Sequence, residues 1–200
     1  MANNDLRNIG AWVSTGNPQT VNDAPSTAFA AGQLGSYTVT MDGLAIPSGT
    51  VDLPTGTFPR VWQYVTLSAT SATPAFGQVV GWVTATGSAF TVSTGITVSR
   101  NRPAGIVTSS AVTLGNYIWI LVSGVGPGLN EAGTTPADGD ALRVGATTAG
   151  RIDFTANGTA TASLCIGTAL GTKTTAFGGS SALPTDTIAA LYNFPRFGSL

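Results

Sequence analysis

One lysine, Lys173, and one glutamate, Glu131, occur among 200 residues, and that scarcity constrains the fold more than any other feature of the chain. Exposed helix faces draw heavily on Lys and Glu, whose unbranched side chains lose little rotamer freedom in a helix. A chain that does without them, and carries 26 glycines and 11 prolines among abundant threonines, is suited to short strands joined by turns. The expected fold is all-β: an antiparallel β-sandwich or barrel-like body with extended terminal arms and little helix.

Charge removes whole classes of function. Eight basic residues face nine acidic ones, the formal net charge is −1, and charged residues make up 8% of the chain. Such a surface gathers no phosphates, so nucleic-acid binding by charge is excluded. Histidine is absent, which takes away the Ser-His-Asp and Cys-His arrangements and the commonest metal ligand. The longest apolar run, Tyr117 to Val122, is far short of the roughly 20 residues a membrane-spanning helix needs, and no basic-then-apolar leader is visible. A soluble protein with no membrane partner and no export is expected. Cys165 stands alone, so an intrachain disulfide is impossible, and packing as a small hydrophobe is its expected role. Ordinary soluble domains are about 25% charged; a surface poorer than that suits a component covered by neighbours.

Along the chain, residues 1–36 read as an N-terminal arm, 37–170 as the β body, and 171–200 as a polar loop, a returning strand and a C-terminal tail. Asn3 or Asn4 could cap a short helix between Asn4 and Trp12, which Gly10 would stop. Period-two alternation begins at Tyr37 to Met41 and recurs at Arg60 to Ser68, where apolar residues on both faces predict cover on both sides. Phe76 to Thr84 follows, then Phe90 to Val98, with Thr94-Gly95 as a hairpin turn. Ala104 to Thr108 precedes Asn116 to Ser123, which the unbroken run Tyr117 to Val122 marks as the central, doubly buried strand. Gly124 to Gly128 reads as a turn between strands, Leu129 to Gly139 as a loop, and Ala141 to Val144 as a strand. Asn157-Gly158 predicts a type I′ hairpin between Arg151 to Ala156 and Thr159 to Gly167. The last strand spans Thr187 to Phe194.

Candidate chemistry is sparse. Asp138 and Asp140, with Glu131, could offer oxygens to calcium, but their spacing does not match a calcium loop, and turn aspartates usually bond their own backbone. No catalytic residue, metal or cofactor is expected. Trp62, Tyr64, Trp82, Tyr117 and Trp119 lie on strong strands and are expected in the core. Trp12, Phe194 and Phe197 lie in terminal segments too poor in apolar residues to fold alone, so each anchors either the chain's own body or a partner.

Three segments carry a family resemblance: Gly77-Gln78-Val79-Val80-Gly81-Trp82, Ala104-Gly105-Ile106-Val107, and Gly115-Asn116-Tyr117-Ile118-Trp119-Ile120-Leu121-Val122-Ser123-Gly124. In order and spacing they resemble the strand-turn-strand core of tailed-phage capsid decoration, or cement, proteins. Gly139-Asp140-Ala141-Leu142 and Cys165-Ile166-Gly167-Thr168-Ala169-Leu170 are similar to that family's later strands, and Phe58 to Val65 fits its second strand more loosely. The resemblance covers residues 58–170; the long N-terminal arm and the Gly171 to Thr185 stretch depart from it. It implies a non-enzymatic virion protein that binds the outside of an icosahedral head, often as a homotrimer, with the major capsid protein as partner. Partner contacts are then expected from Arg7, Trp12, Phe194, Arg196 and Phe197. The alternative is a glycan- or receptor-binding module of a phage fibre or tail, which would need an exposed aromatic platform near Leu129 to Asp140 or Gly171 to Thr185. A carboxylate-only glycosidase is the least favoured reading.

Overall fold

A computed structural model describes residues 24, 34–40, 59–84, 90–109, 112–133, 135–155, 165–170 and 186–194. Among these, 50% lie in strands and 5% in helix, the balance that the shortage of Lys and Glu calls for. The elements are β1 (Tyr37–Thr40), β2 (Arg60–Leu67), β3 (Val79–Trp82), β4 (Thr91–Ser93), α1 (Ile96–Asn101), β5 (Pro103–Val107), β6 (Tyr117–Leu129), β7 (Ala141–Val144), β8 (Ile152–Thr155), β9 (Gly167–Ala169) and β10 (Thr187–Asn193).

The architecture is one closed β-barrel plus extra strands. The strand order is β1-β2-β4-β3-β5-β6-β10-β9-β7-β8, and a further pairing of β2 with β6 closes the ring β2-β4-β3-β5-β6. All of its pairs are antiparallel except β2 with β4, which is parallel through Thr66↔Thr91 and Leu67↔Val92. Closure removes the open edges that an isolated sheet would present. Its strands bury large side chains on both faces: Trp62, Tyr64 and Trp82 are at most 1% exposed, and Trp119 is 4% exposed. Tyr64 meets Trp119 at 5.0 Å between ring centres, and Tyr117 edge-on at 5.9 Å. Both faces of β2 are covered, as its pattern of apolar residues requires.

β6 is the shared element. Its first half pairs with β2 and β5, whereas Ser123 to Leu129 pairs with β10 from Asn193 to Thr187. Beyond β10 lie β9, β7 and β8, all antiparallel. This apron of strands curls until β8 touches the end of β6, through the bridge Asn130↔Ile152 and a hydrogen bond from Glu131 N–H to the Ile152 carbonyl, 2.8 Å.

Here the sequence expectation of a turn at Gly124 to Gly128 is corrected: those residues continue β6. The glycines serve packing. A Cβ on Gly126 would strike the Leu121 side chain, and one on Gly128 would strike the Tyr192 hydroxyl and approach Ile152 Cδ1 at 2.6 Å. Gly124, at φ 107°, lies where a Cβ would sit 2.6 Å from the Pro59 carbonyl oxygen. Leu121 fills the space at Gly126, and Tyr192 and Ile152 of the apron fill it at Gly128.

Phe90 to Val98 is corrected in the same way. β4 ends at Ser93, and Thr94-Gly95 leads into α1 instead of a hairpin. Ser99, fully buried, donates its hydroxyl to the Gly95 carbonyl at 3.0 Å. α1 lies against β3 because Gly81 has no side chain: a Cβ there would sit 2.6 Å from Ser99 Cα. Six residues are too few to show a helical period, so the alternation of Phe90 to Val98 reads as strand.

The remaining expectations divide. β8 pairs with β7, and β9 lies on the other side of β7; the second strand of the expected hairpin, Thr159 to Gly167, lies outside the described residues except for 165–167. The Asn157-Gly158 turn and the Asn4 to Trp12 helix lie outside the described residues. Cys165 is exposed, contrary to the packing expected of it, and its thiol donates to the Gly167 carbonyl at 3.1 Å. The expected strands at Tyr37, Arg60, Ala141 and Thr187 are present as β1, β2, β7 and β10.

Candidate assembly site

Local chemistry accounts for the acids first. Asp140 accepts the Ala137 N–H at 2.8 Å, closing its own turn. Glu131 accepts from the backbone N–H groups of Thr147 and Thr148 at 3.0 and 3.1 Å, so it pins the loop between β7 and β8 to the end of β6. Asp153 takes two hydrogen bonds from Arg143, the shorter at 2.7 Å, across the β7–β8 pair. Asp186 accepts from Arg151 at 2.9 Å, and the same Arg151 nitrogen donates to the Asn130 carbonyl at 2.7 Å, tying the starts of β8 and β10 to the end of β6. Asp138 is exposed on its turn. No group of three or more metal-ligating side chains occurs among the described residues. Apart from Asp138, the described carboxylates are engaged by the fold's own donors, an arrangement that shapes loops.

Aromatic residues are equally committed. Trp62, Tyr64, Trp82, Trp119 and Tyr192 are buried, and Tyr117 is half-buried against the core. Burial raises the Tyr192 phenol well above its ordinary value, and its hydroxyl donates to the Pro127 carbonyl at 3.0 Å. Burial likewise lowers the Arg60 guanidinium from its ordinary value, while Arg60 Nε donates to the Val125 carbonyl at 2.6 Å, across the junction of β2 and β6. The large hydrophobic residues that are exposed among the described ones are Val39, Val83 and Leu191, none of them aromatic.

Of the five residues expected to touch a partner, the structure describes one. Phe194 is 2% exposed, stacks on Tyr192 with 5.5 Å between ring centres, and donates its N–H to the Val122 carbonyl. It therefore anchors the chain's own body, which corrects its assignment as a partner contact. The reason is positional: β10 carries it back to the midpoint of β6, where barrel and apron strands share one buried core. Arg7, Trp12, Arg196 and Phe197 lie outside the described residues.

The point where the N-terminal segment joins the body was not legible in the sequence. β1 lies along β2, with Tyr37↔Gln63 and Val39↔Val61 opposite each other. The turn before it continues the pairing: Gly35 N–H donates to the Tyr64 carbonyl at 2.8 Å, and Tyr64 N–H to the Ser36 carbonyl at 2.9 Å. Two residues further along β2, the partner changes, and Thr66 N–H donates to the Phe90 carbonyl at 2.9 Å. One edge of β2 is thus divided between β1 and β4, with Phe90 at the division. Phe90 has φ 46°, a left-handed conformation that is costly for a bulky residue. Its ring packs under Gly35, where any Cβ would collide with it, and edge-on against Trp82 at 6.2 Å.

Set against protein-family models, curated proteins and solved structures, the chain matches none of them.

Proposed function

We propose that this chain is a non-enzymatic virion structural protein of the capsid-decoration kind: it binds the outer surface of an icosahedral phage head, as a homotrimer, and bridges neighbouring subunits of the major capsid protein. The observation that carries this reading is that the described acids other than Asp138, and the described aromatics, are spent on the protein's own framework, while β2 and β3 to β6, which hold the most specific segments of the resemblance, form a closed barrel. Such a body is a rigid spacer whose outward chemistry is association. Its mechanism is multivalency. A symmetric trimer presents one patch three times, so contacts after the first are intramolecular and weak sites add to a durable attachment. Standard specific interfaces bury about 1,600 Å², and terminal segments reaching a neighbour enlarge that area.

The test combines solution mass by light scattering with co-sedimentation on heads assembled from the cognate major capsid protein, for the full chain and for a chain lacking residues 1–30. Trimer mass and saturable head binding, both weakened by the deletion, are the expected result. A monomer that leaves heads unbound overturns the proposal. The fibre or receptor module is disfavoured by the burial of Trp62, Trp82 and Trp119, which leaves no tryptophan platform among the described residues; a hit on a glycan array would reverse that order.

A further inference from the structure

The edge of β2 divides at Phe90. The barrel uses only its far end, through Thr66↔Thr91 and Leu67↔Val92, and closes there. Its near end, Arg60 to Tyr64, is a docking slot occupied by β1 and the Gly35–Ser36 turn, outside the ring. Taking β1 out of this slot therefore opens no part of the barrel.

Three observations make β1 easy to displace. It has four residues, and among the described residues it pairs with β2 alone. Thr38 is 1% exposed, yet its hydroxyl has no hydrogen-bond partner among the described residues, a cost of seating the strand. The turn that leads into β1 rests at Gly35 on the ring of the strained Phe90, and the seat leaves Val39 47% exposed. Between Thr40 and Arg60 lie residues 41–59, nineteen residues, although Thr40 and Arg60 are direct partners that a two-residue turn would join. At about 3.3 Å per residue that connection could reach roughly 60 Å, enough to cross to a neighbouring protomer.

We infer that β1 is an exchangeable strand, and that in the assembled protein the Arg60–Tyr64 slot of one copy is filled by Tyr37–Thr40 of another. The inference rests on the trimeric reading above. Exchange repeats the same pairing in trans, so each hydrogen bond broken within one copy is remade with another, and the exchanged element holds the copies together at low cost. The slot selects its occupant by register: Val39 must face Val61, and Thr38 must face Trp62.

The test uses the full chain in a Cys165→Ser background, which removes the exposed thiol. Val39→Cys and Val61→Cys are made in separate, differently tagged copies and co-expressed. Opposed residues in an antiparallel pair have Cα atoms about 4.5–5.5 Å apart, within disulfide range. After oxidation, a band at the mass of two chains carrying both tags is expected. The double variant in one chain reports the same pairing in cis and should give inter-chain bands as well. Replacing residues 41–59 with Asn-Gly locks β1 to its own β2; this variant should lose the trimer mass while keeping a folded spectrum. If the mixed copies give no two-tag band while the double variant cross-links within single chains, the exchange is overturned. An unchanged trimer mass for the locked variant overturns it equally. Head binding is measured in parallel: trimers that bind heads with β1 paired only in cis sink this inference and leave the proposed function standing, whereas a monomer without head binding sinks both.

Discussion

The barrel and the apron share β6 but solve packing in opposite ways. Around the ring, space is filled by bulk on both faces of the sheet: Trp62, Tyr64 and Trp119 share one face with Ile106, and Trp82 shares the other with Ile118 and Ile120. In the apron, β6 supplies Gly124, Gly126 and Gly128, β9 supplies Gly167, and the bulk comes from across the sheet as Tyr192, Ile152 and Ile188. A position filled by bulk tolerates loss of volume badly, while a glycine tolerates gain of volume badly where its neighbour is backbone, as at Gly81, and less badly where it is the end of a side chain, as at Gly126. One long strand lets a single chain use both solutions, because each half of β6 faces a different set of partners.

The comparison can be broken most sharply at Trp62. Trp62→Ala should cost about 3–5 kcal/mol, since it removes a large, 1%-exposed side chain from the core and leaves a cavity; denaturant titration measures the loss. If hydrogen exchange then accelerates in β2 to β5 while β7 to β9 keep their protection, the two regions open separately. Uniform acceleration would mean that they unfold as one unit, and the contrast would be one of packing style alone.

Adding volume should come next in effect. Gly81→Ala places a methyl 2.6 Å from Ser99 Cα, against helix backbone that cannot swing away. A loss of about 1–3 kcal/mol is expected. Gly126→Ala meets only the end of the Leu121 side chain, which can change rotamer, so the smaller loss should occur there; the reverse order would refute the account of α1 seated on Gly81.

Tyr192→Phe sharpens the apron side. It leaves the Pro127 carbonyl without its donor and should cost about 1–2 kcal/mol. It should also change the alkaline limb. The folded-state value of Tyr192 is raised above the ordinary 10.0, so its neutral form is favoured by folding. That stability is fully present below pH 10.0 and is lost as pH rises toward the folded-state value. Thermal melts across that range should therefore fall more steeply for the native chain than for Tyr192→Phe.

The smallest effect is expected at Arg143. Its pair with Asp153 is partly solvent-exposed, with side chains 35% and 27% accessible, and such pairs contribute about 0–1 kcal/mol. Arg143→Ala should shift the midpoint little and lose even that difference in high salt. A larger loss would show that the β7–β8 edge depends on charge and not on the Leu142 and Ile152 packing beneath it.

Composition and alternation determined, by themselves, that this chain is mostly strand, that Trp62, Tyr64, Trp82 and Trp119 are interior, and where β1, β2, β7 and β10 run. Those properties are local: period two and the absence of helix-surface residues act within a few residues of chain. Only the tertiary structure decided that Gly124 to Gly128 is strand, because a glycine run reads as a turn until Leu121 and Tyr192 are seen filling the places of its missing side chains. It also decided that Thr94-Gly95 starts a helix, since Gly81, far away in sequence, provides the flat seat. Phe194 went inward for the same kind of reason: the partner that buries it, Tyr192 on β10, acquires its position only when β10 lies along β6. The division of the β2 edge between β1 and β4 left no mark in the sequence. Which strand lies beside which is settled by contacts between residues distant in the chain, and closing the ring at β2 and β6 is what gave Tyr37–Thr40 a seat outside it.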